Sequence, residues 1–167
     1  DPSCPFGYSA SPALRILEWR YRDQIEWHLA VIGLSDPENP SPFKPVQLAG
    51  FQFEFRDRHG MPFSIEPKSR SMTTSRACRV VVAARLLFPG SEWRVLRTLQ
   101  LLNFNTPLLL DDDAQLAQAL ETVAGIDPAA IMDSLDSDEV ENAYLDDWTQ
   151  ARSAAGGPGE LQGKTSE

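Results

Sequence analysis

One stretch of this chain has the two-residue period of a strand, and nearly everything around it has the period of a helix. Ile25, Trp27, Leu29 and Val31 alternate with Glu26, His28 and Ala30 before Gly33 closes the run. A single strand has no ladder partner and cannot form a sheet alone. The fold therefore has to place one strand beside about seven helical segments. The segment before it carries Phe6, Ala10, Ala13, Leu14, Leu17 and Tyr21 at steps of three and four, the spacing of one helix face. Pro5 suits the first helical position, where its fixed φ and missing N–H cost nothing, so Cys4 sits at the N-cap. Pro12 lies inside the pattern and is expected to kink the helix or split it at Ser11.

After the strand, Pro37, Pro40, Pro42 and Pro45 mark a loop or crossover. Phe51, Phe53 and Phe55 fit a strand by alternation, and Leu48, Phe51 and Phe55 fit a helix face; periodicity leaves both open. Ala77, Val80, Val81, Ala84 and Phe88 share a helix face stopped by Pro89 and Gly90. Ser91 is read as the cap of a helix bearing Trp93, Leu96, Leu99 and Leu102, apolar nearly all round. Asp111, Asp112 and Asp113 open a short helix, and Asp127 with Pro128 opens another. Asp136 and Glu139 resemble a capping box for a last helix with Val140, Tyr144, Trp148 and Ala151. Gly156, Gly157, Pro158 and Gly159 break it, and the polar remainder is expected to be loose.

Composition narrows function. The 167 residues can bury a real core, and 24 acidic against 15 basic residues leave a net charge of −9. That charge repels polyphosphates and anionic lipid, so nucleic acid and membrane are not expected as partners. Two cysteines, Cys4 and Cys78, are too few for a disulfide scaffold and point to a reducing, cytoplasmic compartment. The chain begins at Asp1 rather than methionine, which is compatible with a lost leader. Cys78, between Ala77 and Val80, reads as a small buried hydrophobe rather than a second reactive thiol. The three aspartates lack calcium-loop spacing, and His28 and His59 lack metal-ligand spacing, so no metal is expected. Trp93, Phe104, Tyr144 and Trp148 read as core.

Asp1-Pro2-Ser3-Cys4-Pro5-Phe6-Gly7, followed by a helix and then a strand, resembles the opening of DsbA-family proteins. Met61-Pro62-Phe63 and residues 159–163 resemble the FrnE-like branch. The resemblance implies an α/β thioredoxin-like fold with an all-helical insertion, the residues present being mostly helical with one clear strand. It assigns residues 1–36 to the thioredoxin half, 37–156 to the insertion, and 157–167 to a linker. It also favours a helix for the phenylalanine-rich segment. Further strands are implied before Asp1 and after Glu167, the latter preceded by a cis-proline, so the chain reads as part of a longer protein.

The resemblance makes Cys4 the nucleophile and Pro5, Phe6, Gly7 and Tyr8 the surrounding substrate-binding motif. A helix N-terminus stabilises sulfur as the thiolate, the species that attacks disulfides. The family's second cysteine is here Gly7, which cannot resolve a mixed disulfide. The implied activity is thiol–disulfide exchange through one cysteine, with glutathione or mycothiol as co-substrate and no tightly bound cofactor. The alternatives are a degenerate binding module and a thiol transferase or isomerase of the kappa type. A disulfide-containing substrate or small thiol is the expected partner, and a homodimer is compatible.

Overall fold

The computed structural model describes residues 1–153. Seven α-helices occur among them: α1 Pro5–Tyr21, α2 Pro45–His59, α3 Ser75–Leu87, α4 Glu92–Asn105, α5 Asp113–Leu120, α6 Pro128–Ser134 and α7 Asp138–Arg152. A single 3-10 turn, Arg22–Gln24, ends the first segment. The expected glycine-rich break, Pro158 and the 157–167 linker lie outside the described residues.

Helix α3 is the centre, packing on α4, α6 and α7. Its small and β-branched residues, Ala77, Cys78, Val80, Val81, Val82, Ala83 and Ala84, are all buried. So narrow a helix lets its neighbours approach closely and fill the core with Leu99, Leu110, Leu116, Leu120, Ile131 and Leu135. A second cluster of Tyr8, Phe63 and Phe104, flanked by Phe55 and Met61, joins α1 to the helical body. The Tyr8 and Phe104 rings stack at 4.8 Å, and Phe63 meets both edge-on at about 5 Å. Such pairs add about 0.5–1.5 kcal/mol each beyond the area they bury.

The caps are local chemistry and mostly follow the sequence. Asp112 accepts from the Gln115 N–H at 3.1 Å, and Asp127 accepts from those of Ala129 and Ala130. One assignment is refined and one corrected. Ser91 stands at the N-cap of α4, but its hydroxyl donates back to the Ala84 carbonyl at 3.0 Å rather than accepting from the helix, which tightens the α3–α4 turn. The cap of α7 is Ser137, accepting from Val140 N–H, while Asp136 pairs with Arg76. Pro12 neither splits nor ends α1. Its ring deprives the Tyr8 carbonyl of the usual N–H, and the Ser11 hydroxyl donates to that carbonyl instead at 2.7 Å.

The phenylalanine-rich segment is helical, as α2. The strand expectation is corrected: residues 25–35 are extended, but no strand forms among the described residues. Burial alternates only toward the end of the segment, where Val31, Gly33 and Ser35 are buried and Ile32 and Leu34 less so; Ile25 is exposed and Trp27 and Leu29 are half-buried. What differs is the source of the backbone hydrogen bonds. Asp147 accepts from Val31 N–H at 3.0 Å, and Arg85 donates to the Leu29 carbonyl at 2.7 Å. Arg152 donates to the Ile32 carbonyl, and Thr74 accepts from Ser35 N–H. Side chains from α3, α7 and the α3 cap thus stand where a neighbouring strand would. Gly33 has φ +53°, and a Cβ there would lie 2.1 Å from the Tyr144 hydroxyl, so both conformation and space require glycine.

Two further readings change. Helix α4 is not apolar all round: Arg94, Arg97, Thr98 and Leu101 reach its surface. Trp148 is 39% exposed, with the Arg152 guanidinium 3.8 Å from its ring centroid. Phe104 and Tyr144 are buried, and Trp93 is half-buried beside Arg15.

Candidate thiol site

The turn carrying Cys4 is fixed by Asp1. Its backbone carbonyl accepts from Cys4 N–H at 3.1 Å, and its carboxylate accepts from Ser3 N–H at 2.6 Å. The other carboxylate oxygen accepts from Leu34 N–H and the Thr74 hydroxyl, both at 2.8 Å. One side chain therefore ties together the turn, the extended segment and the entry to α3. Pro2 is buried beneath it.

Cys4 is the N-cap of α1 and is half-buried. Its Sγ accepts the Gly7 N–H at 3.4 Å, the role that a serine or aspartate oxygen usually fills. The first turn of α1 thus gives this sulfur one backbone donor. Gly7 is ordinary helix, and a Cβ built on it would lie 3.7 Å from both Cβ and Sγ of Cys4, normal contact distance. The backbone does not need glycine at this position.

The other motif residues divide. Pro5 and Ser3 line an apolar cavity of about 370 Å³ with Leu48, Phe51, Phe55 and Phe104. Gly7 lines a different groove of about 580 Å³ between α1 and α4. Phe6 is 59% exposed and meets Phe55 edge-on at 4.8 Å. Tyr8 is fully buried; its hydroxyl donates to the Pro62 carbonyl and accepts from the Asn105 amide, so it anchors α1 rather than facing either opening.

Cys78 is fully buried, and both cysteines are free thiols. Its Sγ lies 3.5 Å from Asp1 Oδ2, and burial pushes the thiol's pKa up, away from reactivity. Asp111, Asp112 and Asp113 have separate tasks, respectively with Arg70, as the α5 cap, and with Arg76. No group of three His, Cys, Asp or Glu suited to a metal occurs among the described residues. No helix among them is long and apolar enough to cross a membrane.

Sequence reasoning passed over Lys68, which closes the floor of the apolar cavity and is 9% exposed. Its ammonium donates to the carbonyls of Asn103 and Thr106 at the end of α4 and of Leu108 just beyond it. No carboxylate accompanies it, and burial pushes its pKa down to about 8 from the ordinary 10.5. Below about pH 8 both folded and unfolded chains hold this proton. Between 8 and 10.5 the unfolded chain keeps it while the folded chain has released it, so stability rises with pH across that window. Buried Cys78 and Tyr144, whose pKa values are raised, act the opposite way. The expected result is thus a difference: wild type gains up to about 3 kcal/mol relative to Lys68→Met between pH 8 and 10.5. Urea unfolding of both chains at each pH measures it, and parallel pH profiles would contradict it.

A half-buried thiol thus caps a helix, tied by an aspartate to an extended segment and flanked by a helical body. The chain belongs to the family of the DSBA-like thioredoxin domain, whose model matches residues 1–156. In fold it resembles the crystal structure of a "putative protein disulfide isomerase" from Nitrosomonas europaea. The TM-score is 0.70 at 18% identity, over 90% of this chain and 74% of that one. No curated protein matches the chain.

Proposed function

We propose that this DsbA-like chain carries out thiol–disulfide exchange through Cys4 alone, with a small thiol completing the cycle. The observation that carries the reading is the Gly7 N–H directed at Cys4 Sγ at 3.4 Å, with no side chain at position 7. The Cys4 thiolate attacks a disulfide R–S–S–R, forming Cys4–S–S–R and releasing RS⁻. A second thiolate R′S⁻ then attacks the R sulfur, returning the Cys4 thiolate and releasing R–S–S–R′. Cys78 is too deeply buried to take the second role. The apolar cavity beside Ser3 and Pro5 supplies a surface for the organic part of the substrate.

Mass spectrometry tests this directly. Iodoacetamide at mildly acidic pH is expected to label Cys4 in the folded chain about tenfold faster than a cysteine in an unstructured peptide, and Cys78 only after unfolding. Bis(2-hydroxyethyl) disulfide is expected to add once, at Cys4, and added thiol to remove it; Cys4→Ser loses both reactions. Labelling of Cys4 no faster than the peptide would leave a binding module built on the same cavity.

A further inference from the structure

We infer that the groove between α1 and α4 seats the carboxylate groups of the small thiol or disulfide that exchanges with Cys4, which makes the co-substrate an acidic one. This rests on the single-cysteine reading and adds to it the chemical class of the second reactant.

Position is the first argument. Gly7 both donates its N–H to Cys4 Sγ and forms part of the groove wall, so a ligand lying in the groove reaches the sulfur across one residue without a side chain. At about 580 Å³ the space suits a molecule of peptide size rather than a lone ion.

Charge is the second. The chain carries a net charge of −9, yet the groove is lined by Arg15, Arg94 and Arg97 and by no carboxylate. Arg15 is met by Glu18 at 2.6 Å. Arg97 donates to the Ser11 hydroxyl at 2.8 Å and lies 5.0 Å from the Tyr8 ring centroid, without an acidic partner among the described residues. The Arg94 side chain has neither ion pair nor hydrogen bond among them. Arg94 and Arg97, one turn apart on α4, both line the groove without a paired anion among the described residues, the Arg94 guanidinium lying on the Gly125 side; such forked cations bind carboxylates.

The third argument is Gln100. It is 5% exposed, lines the same groove, and its side-chain amide has no hydrogen-bond partner among the described residues. Its amide is a neutral donor and acceptor on the groove wall, free to bond a polar ligand lying there.

The chemistry stays balanced. The acidic disulfide gives Cys4 one sulfur and leaves as one thiolate, and an acidic thiolate bound in the same groove then attacks the mixed disulfide.

Two disulfides of similar size separate the claims: 3,3′-dithiodipropionate, with two carboxylates, and neutral bis(2-hydroxyethyl) disulfide. Rates of mixed-disulfide formation at Cys4, each divided by that of a cysteine peptide, are expected to favour the dicarboxylate about tenfold at low salt. Arg94→Gln is expected to bring the ratio toward one; Arg94→Glu is expected to invert it. Equal normalised rates in wild type, or a ratio unmoved in Arg94→Gln, would overturn the inference while leaving Cys4 chemistry standing. If neither disulfide reacts, the single-cysteine reading fails, and the groove is judged by binding alone. There 3,3′-thiodipropionate, which has no exchangeable sulfur, is titrated into the Cys4→Ser chain and followed by NMR. Saturable shifts lost in Arg94→Gln support the anion site, and their absence rejects it.

Discussion

Gly7→Cys is expected to turn this chain into a dithiol protein: on mild oxidation the introduced thiol bonds to Cys4, and only Cys78 remains titratable after unfolding. The geometry is already in place. A Cβ at position 7 falls 3.7 Å from the Cys4 Cβ, inside the roughly 3.5–4.5 Å span that disulfides use. The position is ordinary helix, so no left-handed backbone has to be forced, and the nearest atoms to the new Cβ are those of Cys4 itself. The kinetic consequence is larger than the structural one. A neighbouring thiol acts at an effective concentration far above that of millimolar external thiol, so the mixed disulfide at Cys4 is expected to clear at least about a hundredfold faster. Stopped-flow release of a chromogenic thiol from the mixed disulfide reads this. Gly7→Ala is the control: it adds the same Cβ without the sulfur, leaves the clearance rate unchanged and stabilises the chain by about 0.5–1 kcal/mol, since glycine is the poorer helix former. Persistence of three free thiols in Gly7→Cys would falsify the placement of Gly7 against Cys4. If the variant behaves as expected, glycine at this position is explained by the chemistry of the cycle rather than by the backbone.

What the sequence displayed and what it hid divide along the range of the interactions. The Cys4 cap, Pro5 at the first helical position and the Asp112 and Asp127 caps are decided within three or four residues, so local reading finds them. Asp136 adjoins the cap that forms, Ser137, and its own carboxylate is taken by Arg76; Ser91 does hold the cap position of α4, but its hydroxyl is drawn to the Ala84 carbonyl. The alternation of residues 25–31 gave a strand that does not form among the described residues, and of its apolar set only Val31 is fully buried. The segment's hydrogen-bond partners, Arg85, Asp147 and Arg152, lie 56 to 120 positions away, and periodicity carries no trace of them. The basic groove was missed for a related reason. Arg94 and Arg97 stand three apart on α4 and share its polar face, a signal present in the sequence but masked by the leucines between them. That both line the same groove as Gly7 is a fact of packing.

Asp147→Ala is expected to cost about 3–5 kcal/mol, the largest stability loss among these substitutions. Asp147 is 6% exposed, and its carboxylate takes two Arg85 hydrogen bonds, at 3.0 and 3.1 Å, and the Val31 N–H at 3.0 Å. Truncation leaves the half-buried Arg85 guanidinium with the Leu29 carbonyl alone and takes from the buried Val31 amide the carboxylate it donates to. For a chain of this size the loss corresponds to a fall in Tm of roughly 10–15 °C. Hydrogen exchange at Val31 is expected to speed up in the folded variant, because the extended segment has lost its tether to α7. The double variant Asp147→Ala with Arg85→Met is expected to recover part of the loss, since it removes the uncompensated charge along with its partner. Equal losses in the single and double variants would show that the ion pair is not the source. The far end of the segment is held differently, by Asp1 at Leu34 and by Thr74 at Ser35. Those contacts survive the substitution, so alkylation of Cys4 in the folded variant is expected to stay within about twofold of wild type. A stability loss with the thiol's reactivity kept would separate the two tethers of one segment: Asp147 secures it to the core, and Asp1 secures it to the cysteine.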